Sequence, residues 1–163
     1  MSSIEIDMNN KPLVTISMLT YNQEKYIRES VRGMLAQTYE PLEVVISDDC
    51  STDRTWDIVL EEVEQYRETD GRHRIILNRN ESNLGIALHA ARVATLQHGI
   101  LSVMNAGDDI SVPERVEKIV STWNRYGDSV SLLIHSAFCI NEDGRMMGDL
   151  DLRTVEHPLG AVF

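Results

Sequence analysis

The chain has 163 residues, 42% apolar and 25% charged, the balance of a soluble globular protein with enough length for one domain and one hydrophobic core. Its formal charge of −11, from 26 acidic against 15 basic side chains, makes nucleic acid and anionic lipid poor partners, because the mean field repels polyanions. An anionic ligand would need a local cation, and a bound divalent metal is one way to supply it.

Cys50 and Cys139 form no C-x-x-C pair, so neither a zinc site nor a disulfide framework is indicated, and a reduced, cytoplasmic setting fits. MSSIEIDMNNK lacks a basic segment followed by an apolar core, as a signal peptide would need. No apolar run reaches the roughly 18 residues of a transmembrane segment. Residues 1–11 read as a frayed terminus and 12–163 as a single domain.

Residues 13–19 predict a short buried strand, and Asn22 is positioned to cap the helix after it, whose apolar stripe is Ile27, Val31, Met34 and Leu35. A second strand over 42–46 runs into SDDCSTD, dense in turn and cap residues, and then into a helix with the stripe Trp56, Val59, Leu60 and Val63. Residues 74–77 predict a third strand, 85–97 a third helix ended by Gly99, and 100–104 a fourth strand. Ser111 and Glu114 make an S-x-x-E capping box with Pro113 in the first turn, ahead of a helix burying Val116, Ile119, Val120 and Trp123. A fifth strand over 130–138 leads to NEDGR, a hairpin turn.

Strands alternating with helices imply an α/β fold, a doubly wound and mostly parallel sheet whose ligands sit at the carboxyl ends of the strands. LTYN, SDDCSTD and AGDDIS follow strands one, two and four, so all three polar loops open onto one edge. Asp108 and Asp109 carry like charges; at about 6 Å such a pair repels by roughly 3 kcal/mol at an effective dielectric near 20. A hard divalent cation taking carboxylate and phosphate oxygens relieves that, while the plainer reading makes Asp109 a helix cap and Asp108 a solvated acid. Asp48 and Asp49 could accept from a base or ribose, or only cap a helix. Tyr21 could stack on a base or only pack. Gly85 could let backbone approach a ligand or only turn the chain. The five histidines show no metal spacing and read mostly as surface residues. Dinucleotide, P-loop and nucleophile-elbow signatures are missing from the sequence.

In this order VTISMLTYNQEKYI, LEVVISDDCSTDRT, NLGIALHAAR and LSVMNAGDDISVPERV resemble the donor-binding half of a family 2 glycosyltransferase with the Rossmann-like GT-A fold, over residues 13–147. The resemblance implies that Leu19, Thr20, Tyr21 and Asp49 hold the nucleotide of a nucleoside diphosphate sugar, a UDP-sugar being expected. It also implies that the segment from Gly85 to Arg92 lies near the diphosphate, with Arg92 either a phosphate contact or a plain surface residue. Asp108, helped by Asp109, would hold manganese or magnesium.

Two departures qualify that reading. Ala106 stands where the first acid of the D-x-D motif is usual, and His89 where Asn is common. Family members also continue into an acceptor-binding half that carries the catalytic base, and this sequence offers no base. Inverting sugar transfer to a glycan or lipid-linked acceptor, in the cytoplasm or at the inner face of a membrane, is the leading expectation. A non-catalytic nucleotide-sugar-binding module is the alternative. A nucleotidyltransferase would want a Gly-rich, basic loop after strand one, which LTYNQEKY does not supply.

Overall fold

The computed structural model describes residues 11–126, 131–133, 137–141 and 145–149. In chain order they form β1 (Val14–Thr20), α1 (Ile27–Leu35), β2 (Leu42–Asp48), α2 (Thr55–Thr69), β3 (Arg74–Arg79), α3 (Gly85–Ala94), β4 (Leu101–Ala106), α4 (Arg115–Tyr126), β5 (Phe138–Ile140) and β6 (Met146–Asp149). Contacts divide the chain into two compact units, one ending at Glu117 and the other starting at Lys118.

In the first unit four strands lie parallel in the order β3-β2-β1-β4, as the alternation of strands and helices requires. From β1 the chain steps outward to β2 and β3, then returns to the other side of β1 as β4. That reversal puts the topological switch point between β1 and β4, at whose carboxyl ends α/β sheets bind ligands.

The register makes the two sheet faces chemically different. Val14, Ile16 and Met18 align with Leu42, Val44 and Ile46, and Ile16 with Val103. All seven are buried, as are Ile27, Val31, Met34 and Leu35 of α1 and Ile58, Val59 and Val63 of α2. Each such side chain contributes about 1.5–3 kcal/mol of burial, so this apolar layer dominates stability. The opposite face carries Thr15, Ser17, Glu43 and Ser47, also buried and each with a partner. Thr15 Oγ1 donates to Glu43 Oε1 (2.9 Å), and Gln97 Nε2 donates to Ser17 Oγ (3.1 Å). Glu43 also accepts from the His98 backbone (2.9 Å) and lies 3.3 Å from Arg74 Nη1. Burying these polar groups is tolerable because they bond one another.

Several sequence expectations need correction. Asn22 does not cap α1: the N-cap is Tyr26, with no side-chain bond, and Asn22 adopts φ 52° in the preceding loop. The α2 stripe is rotated, with Ile58, Glu62 and Tyr66 buried beside Val59 and Val63, Leu60 exposed and Trp56 half-buried. Glu62 enters that stripe because Arg28 and Arg32 of α1 both clasp its carboxylate. The third helix stops at Ala94, capped at Thr95, well before Gly99. Gly99 serves close packing instead, since a Cβ there would lie 2.7 Å from Thr15 Oγ1 and 2.8 Å from the Val14 carbonyl carbon. The fourth helix begins at Arg115, one residue past Glu114, so Ser111 and Glu114 do not form the expected box. Val116 and Val120 are buried, Ile119 and Trp123 half-buried.

In the second unit β5 and β6 pair antiparallel, as the NEDGR hairpin predicts. Residues 131–133 and Ala137 of the expected fifth strand are not strand, and 130 and 134–136 lie outside the described residues.

Candidate functional site

At the carboxyl rim three loops are tied to β1. Asp49, just past β2, donates its backbone N–H to Thr20 O (2.9 Å), and Gly107, just past β4, donates to Leu19 O (3.2 Å). Asp49 and Gly107 are therefore held on either side of the end of β1, and Asp108 follows Gly107 in the chain. Tyr21 follows directly, 43% exposed and so available to a ligand.

The loops after β1 and β2 are stitched reciprocally. The backbone N–H groups of Asn22, Gln23 and Glu24 donate to Ser51 Oγ (2.8 Å), Thr55 Oγ1 (2.7 Å) and Asp53 Oδ2 (3.1 Å). In return Thr52 N donates to Asn22 Oδ1 (2.8 Å) and Arg54 N to Glu24 Oε2 (3.1 Å). Asn22 and Cys50 sit at φ 52° and 64°, a left-handed conformation that costs a side-chain-bearing residue energy. Asp48 accepts from Ser51 N (2.9 Å) and meets Arg79 Nε at 3.3 Å, while Arg79 Nη2 donates to Ser51 O (2.9 Å). These bonds hold Tyr21 on a loop that would otherwise be free.

Asp49 is the hub on the β2 side. Oδ1 accepts from Asn80 Nδ2 (2.8 Å) and Leu84 N (2.9 Å), and Oδ2 from Gly85 N (2.9 Å). It caps the start of α3, where Gly85 takes φ 74°, a conformation glycine adopts without strain. Burial pushes the Asp49 carboxyl up, but the Leu84 N–H, the Asn80 amide, nearby His89 and the Gly85 N–H together hold it below the usual carboxylate range.

His89 and His73 are buried, against the expectation of surface histidines; His135 and His157 lie outside the described residues. Ser47 Oγ accepts from Asn78 Nδ2 (2.9 Å) and pairs with His89 Nε2 (2.7 Å), while His89 Nδ1 faces Asp49 Oδ2 at 4.0 Å. Burial lowers the pKa of His89 despite the pull of Asp49 and Asp48, and burial likewise lowers that of His73. A histidine depressed in the fold stabilises it fully above the unfolded pKa near 6.5, and that stability is lost as pH falls through the folded value. His89→Asn is expected to remove one proton's share of that slope, at most about 1.4 kcal/mol per pH unit, in urea unfolding between about pH 5 and 7.

Past β4 the chain makes a β-turn, closed by Asp109 N donating to Ala106 O (3.2 Å), with Gly107 and Asp108 at its centre. Only glycine fits at 107, because a Cβ would lie 2.6 Å from Thr20 Oγ1 and 2.9 Å from Thr20 Cβ. Asp108 and Asp109 are exposed at the turn. Among the described residues no three His, Cys, Asp or Glu side chains gather to hold a metal by themselves. Two adjacent carboxylates open to solvent do suit a cation that also takes phosphate oxygens and water, as magnesium does.

The rim thus brings together Leu19, Thr20, Tyr21, Asp49, Gly85, Asp108 and Asp109. Arg92 lies two turns further along α3, about 10 Å of helix rise from Gly85, and is exposed. Sequence reading missed Asn22, Ser51, Asp53 and Thr55 as the loop stitch, Arg79 as its clamp, and Asn105 with Arg115 beneath the acidic turn. The clustering of Asn, Ser, Thr and Asp in two loops was the only signal for the stitch. No described helix is long and apolar enough to cross a membrane.

Comparison with known proteins agrees with this geometry. Residues 15–157 match the model of the family described as Glycosyl transferase family 2. An uncharacterized glycosyltransferase of Haemophilus influenzae is 36% identical over 120 residues, 70% of this chain and 33% of that protein. Another, from Methanocaldococcus jannaschii, is 30% identical over 139 residues, 85% of this chain and 46% of its own length. The chain spans less than half the length of these relatives. Among solved structures, S. aureus TarS in complex with UDP-GlcNAc aligns with a TM-score of 0.59 at 27% identity, over 69% of this chain and 31% of that one. With a GT-A sheet and a family match over nearly its whole length, the chain belongs to glycosyl transferase family 2.

Proposed function

We propose that this chain forms the donor side of a metal-assisted glycosyl transfer, in which a sugar passes from a UDP-sugar to a glycan or lipid-linked acceptor with inversion at the anomeric carbon. The carrying observation is the convergence of Tyr21, Asp49 and Asp108 around the end of β1 at the switch point of the sheet. The UDP-GlcNAc bound by TarS supports uridine as the base.

In this reading Tyr21 lays its ring on the base, a contact worth about 1–3 kcal/mol. Asp49 gives three of its roughly four acceptor positions to Asn80, Leu84 and Gly85, which leaves one for the imide N–H of uracil. The Gly85 turn brings backbone toward the diphosphate. Asp108, with Asp109 beside it, would hold manganese or magnesium, which supplies positive charge to a leaving diphosphate in a protein of net charge −11.

Ala106 favours a second reading, a module that binds nucleotide sugar without transfer, since the motif retains one acid fewer. Thermal unfolding with UDP, with and without manganese, tests the donor site, and release of free sugar from UDP-GlcNAc separates the two readings. Stabilisation by UDP that manganese strengthens, with slow sugar release, is expected for the enzyme. The same stabilisation without release identifies the binding module, and no response to UDP removes both.

A further inference from the structure

We propose that Asn105 is a positioning residue for Asp108, clamping from beneath the turn that presents the acid; this rests on the donor-site reading above. Asn105 is the penultimate residue of β4, 5% exposed, on the apolar face with Met18 and Val103. A polar side chain there needs partners, and it has them on every side. Its two Nδ2 hydrogens are shared among Ala106 O (2.9 Å), Asp109 O (3.1 Å) and Ser30 Oγ (3.1 Å). Its Oδ1 accepts from Ser111 Oγ (3.0 Å) and Arg115 Nη1 (2.6 Å). Three acceptors on one side and a guanidinium on the other fix the amide in a single orientation, since arginine has no acceptor to offer a reversed one.

Ala106 and Asp109 are the two ends of the turn whose centre is Gly107–Asp108, so one amide group holds both of its carbonyls. Ser30, fully buried on α1, lies against the same pair, its single hydroxyl proton shared between Ala106 O at 2.9 Å and Asp109 O at 2.6 Å. Arg115 closes the arrangement by donating to Met104 O (2.8 Å) and to Ser111 Oγ (2.8 Å). The backbone on either side of Asp108 is therefore fixed before any ligand arrives. With Ala106 in place of the usual first acid, cation binding depends on one direct carboxylate, and error in its placement cannot be shared with a second. Groups that orient a metal ligand typically govern affinity by about 10–100-fold.

The test compares UDP affinity in EDTA with UDP affinity in saturating manganese, by calorimetry on the full chain. Asn105→Asp keeps the shape but sets a carboxylate against the Ala106 and Asp109 carbonyls. It is expected to leave the EDTA affinity within about twofold and to cut the manganese-dependent gain by about tenfold or more. Ser30→Ala and Ser111→Ala should each lose a smaller part of the gain, and circular dichroism melts show whether each variant folds. Should Asn105→Asp fail to fold, the two serine variants decide in its place. A folded Asn105→Asp with the full gain, or one losing affinity equally with and without manganese, overturns the proposal; so do serine variants that leave the gain untouched. A wild-type protein that binds UDP without any manganese-dependent gain refutes the metal assignment itself, and the wild-type arm alone reveals that.

Discussion

Asp108→Asn is expected to weaken UDP binding in manganese by about 100-fold while leaving binding in EDTA unchanged within about twofold, measured by calorimetry on the same preparation. The size follows from the donor set. Hard cations favour charged carboxylate oxygen, and an amide oxygen is a poor substitute. The position before Asp108 is glycine and the one before that alanine, so no acid on its amino-terminal side can take over. Asp109 adjoins it, but its backbone N–H and C=O are both engaged in the turn, by Ala106 and by Ser30 and Asn105. Asp109→Asn is therefore expected to cost less than Asp108→Asn, and the reverse order would transfer the direct ligand to Asp109. Retention of the whole manganese effect in Asp108→Asn would rule out this turn as the metal site.

The parts of the fold that were legible in the sequence are those in which a residue's role depends on its neighbours in the chain. The apolar stripe of α1, at Ile27, Val31, Met34 and Leu35, is buried as its spacing requires, and the alternation of strands and helices carried the parallel sheet. Extra length at the carboxyl ends was not legible. Ser47 and Asp48 extend β2 as polar residues, and Asn105 and Ala106 extend β4, because each pairs with β1 across the sheet rather than by its own hydrophobicity.

The site divides along the same line. The three rim loops were visible as polar clusters after apolar runs, and topology placed them on one edge. Their fastening was not visible, because each bond joins residues far apart in sequence. Asn22 reads locally as a helix cap, yet its side chain accepts from Thr52. Asn105 falls just past the strand expected over 100–104, and its meaning depends on Ser30 in a distant helix. Glu62 is an acid in a buried stripe because Arg28 and Arg32 of α1 lie opposite it. Local propensity could not have revealed any of these, since the partner supplies the information.

Asp49→Ala is expected to destabilise the fold by about 3 kcal/mol, lowering the midpoint of thermal unfolding by roughly 6–12 °C, because it leaves three donors without their acceptor. Two of these are the backbone N–H groups of Leu84 and Gly85 at the start of α3. An unpaired donor in a partly buried site costs about 1–3 kcal/mol, so the effect exceeds that of an ordinary surface cap. Asp49→Asn separates charge from shape, since its amide oxygen still accepts from Asn80 and Leu84 while its NH2 faces the Gly85 N–H. The linkage gives that variant a distinct signature. A carboxyl depressed in the fold contributes stability that is complete above its unfolded pKa, near 3.9, and is lost as pH falls through the lower folded value. Wild-type stability should therefore fall more steeply below about pH 4 than that of Asp49→Asn, in denaturant melts at successive pH values. Parallel acid limbs for the two proteins would mean that the charge on Asp49 does not hold the α3 entry in place. Its role would then reduce to the shape of the loop that enters α3.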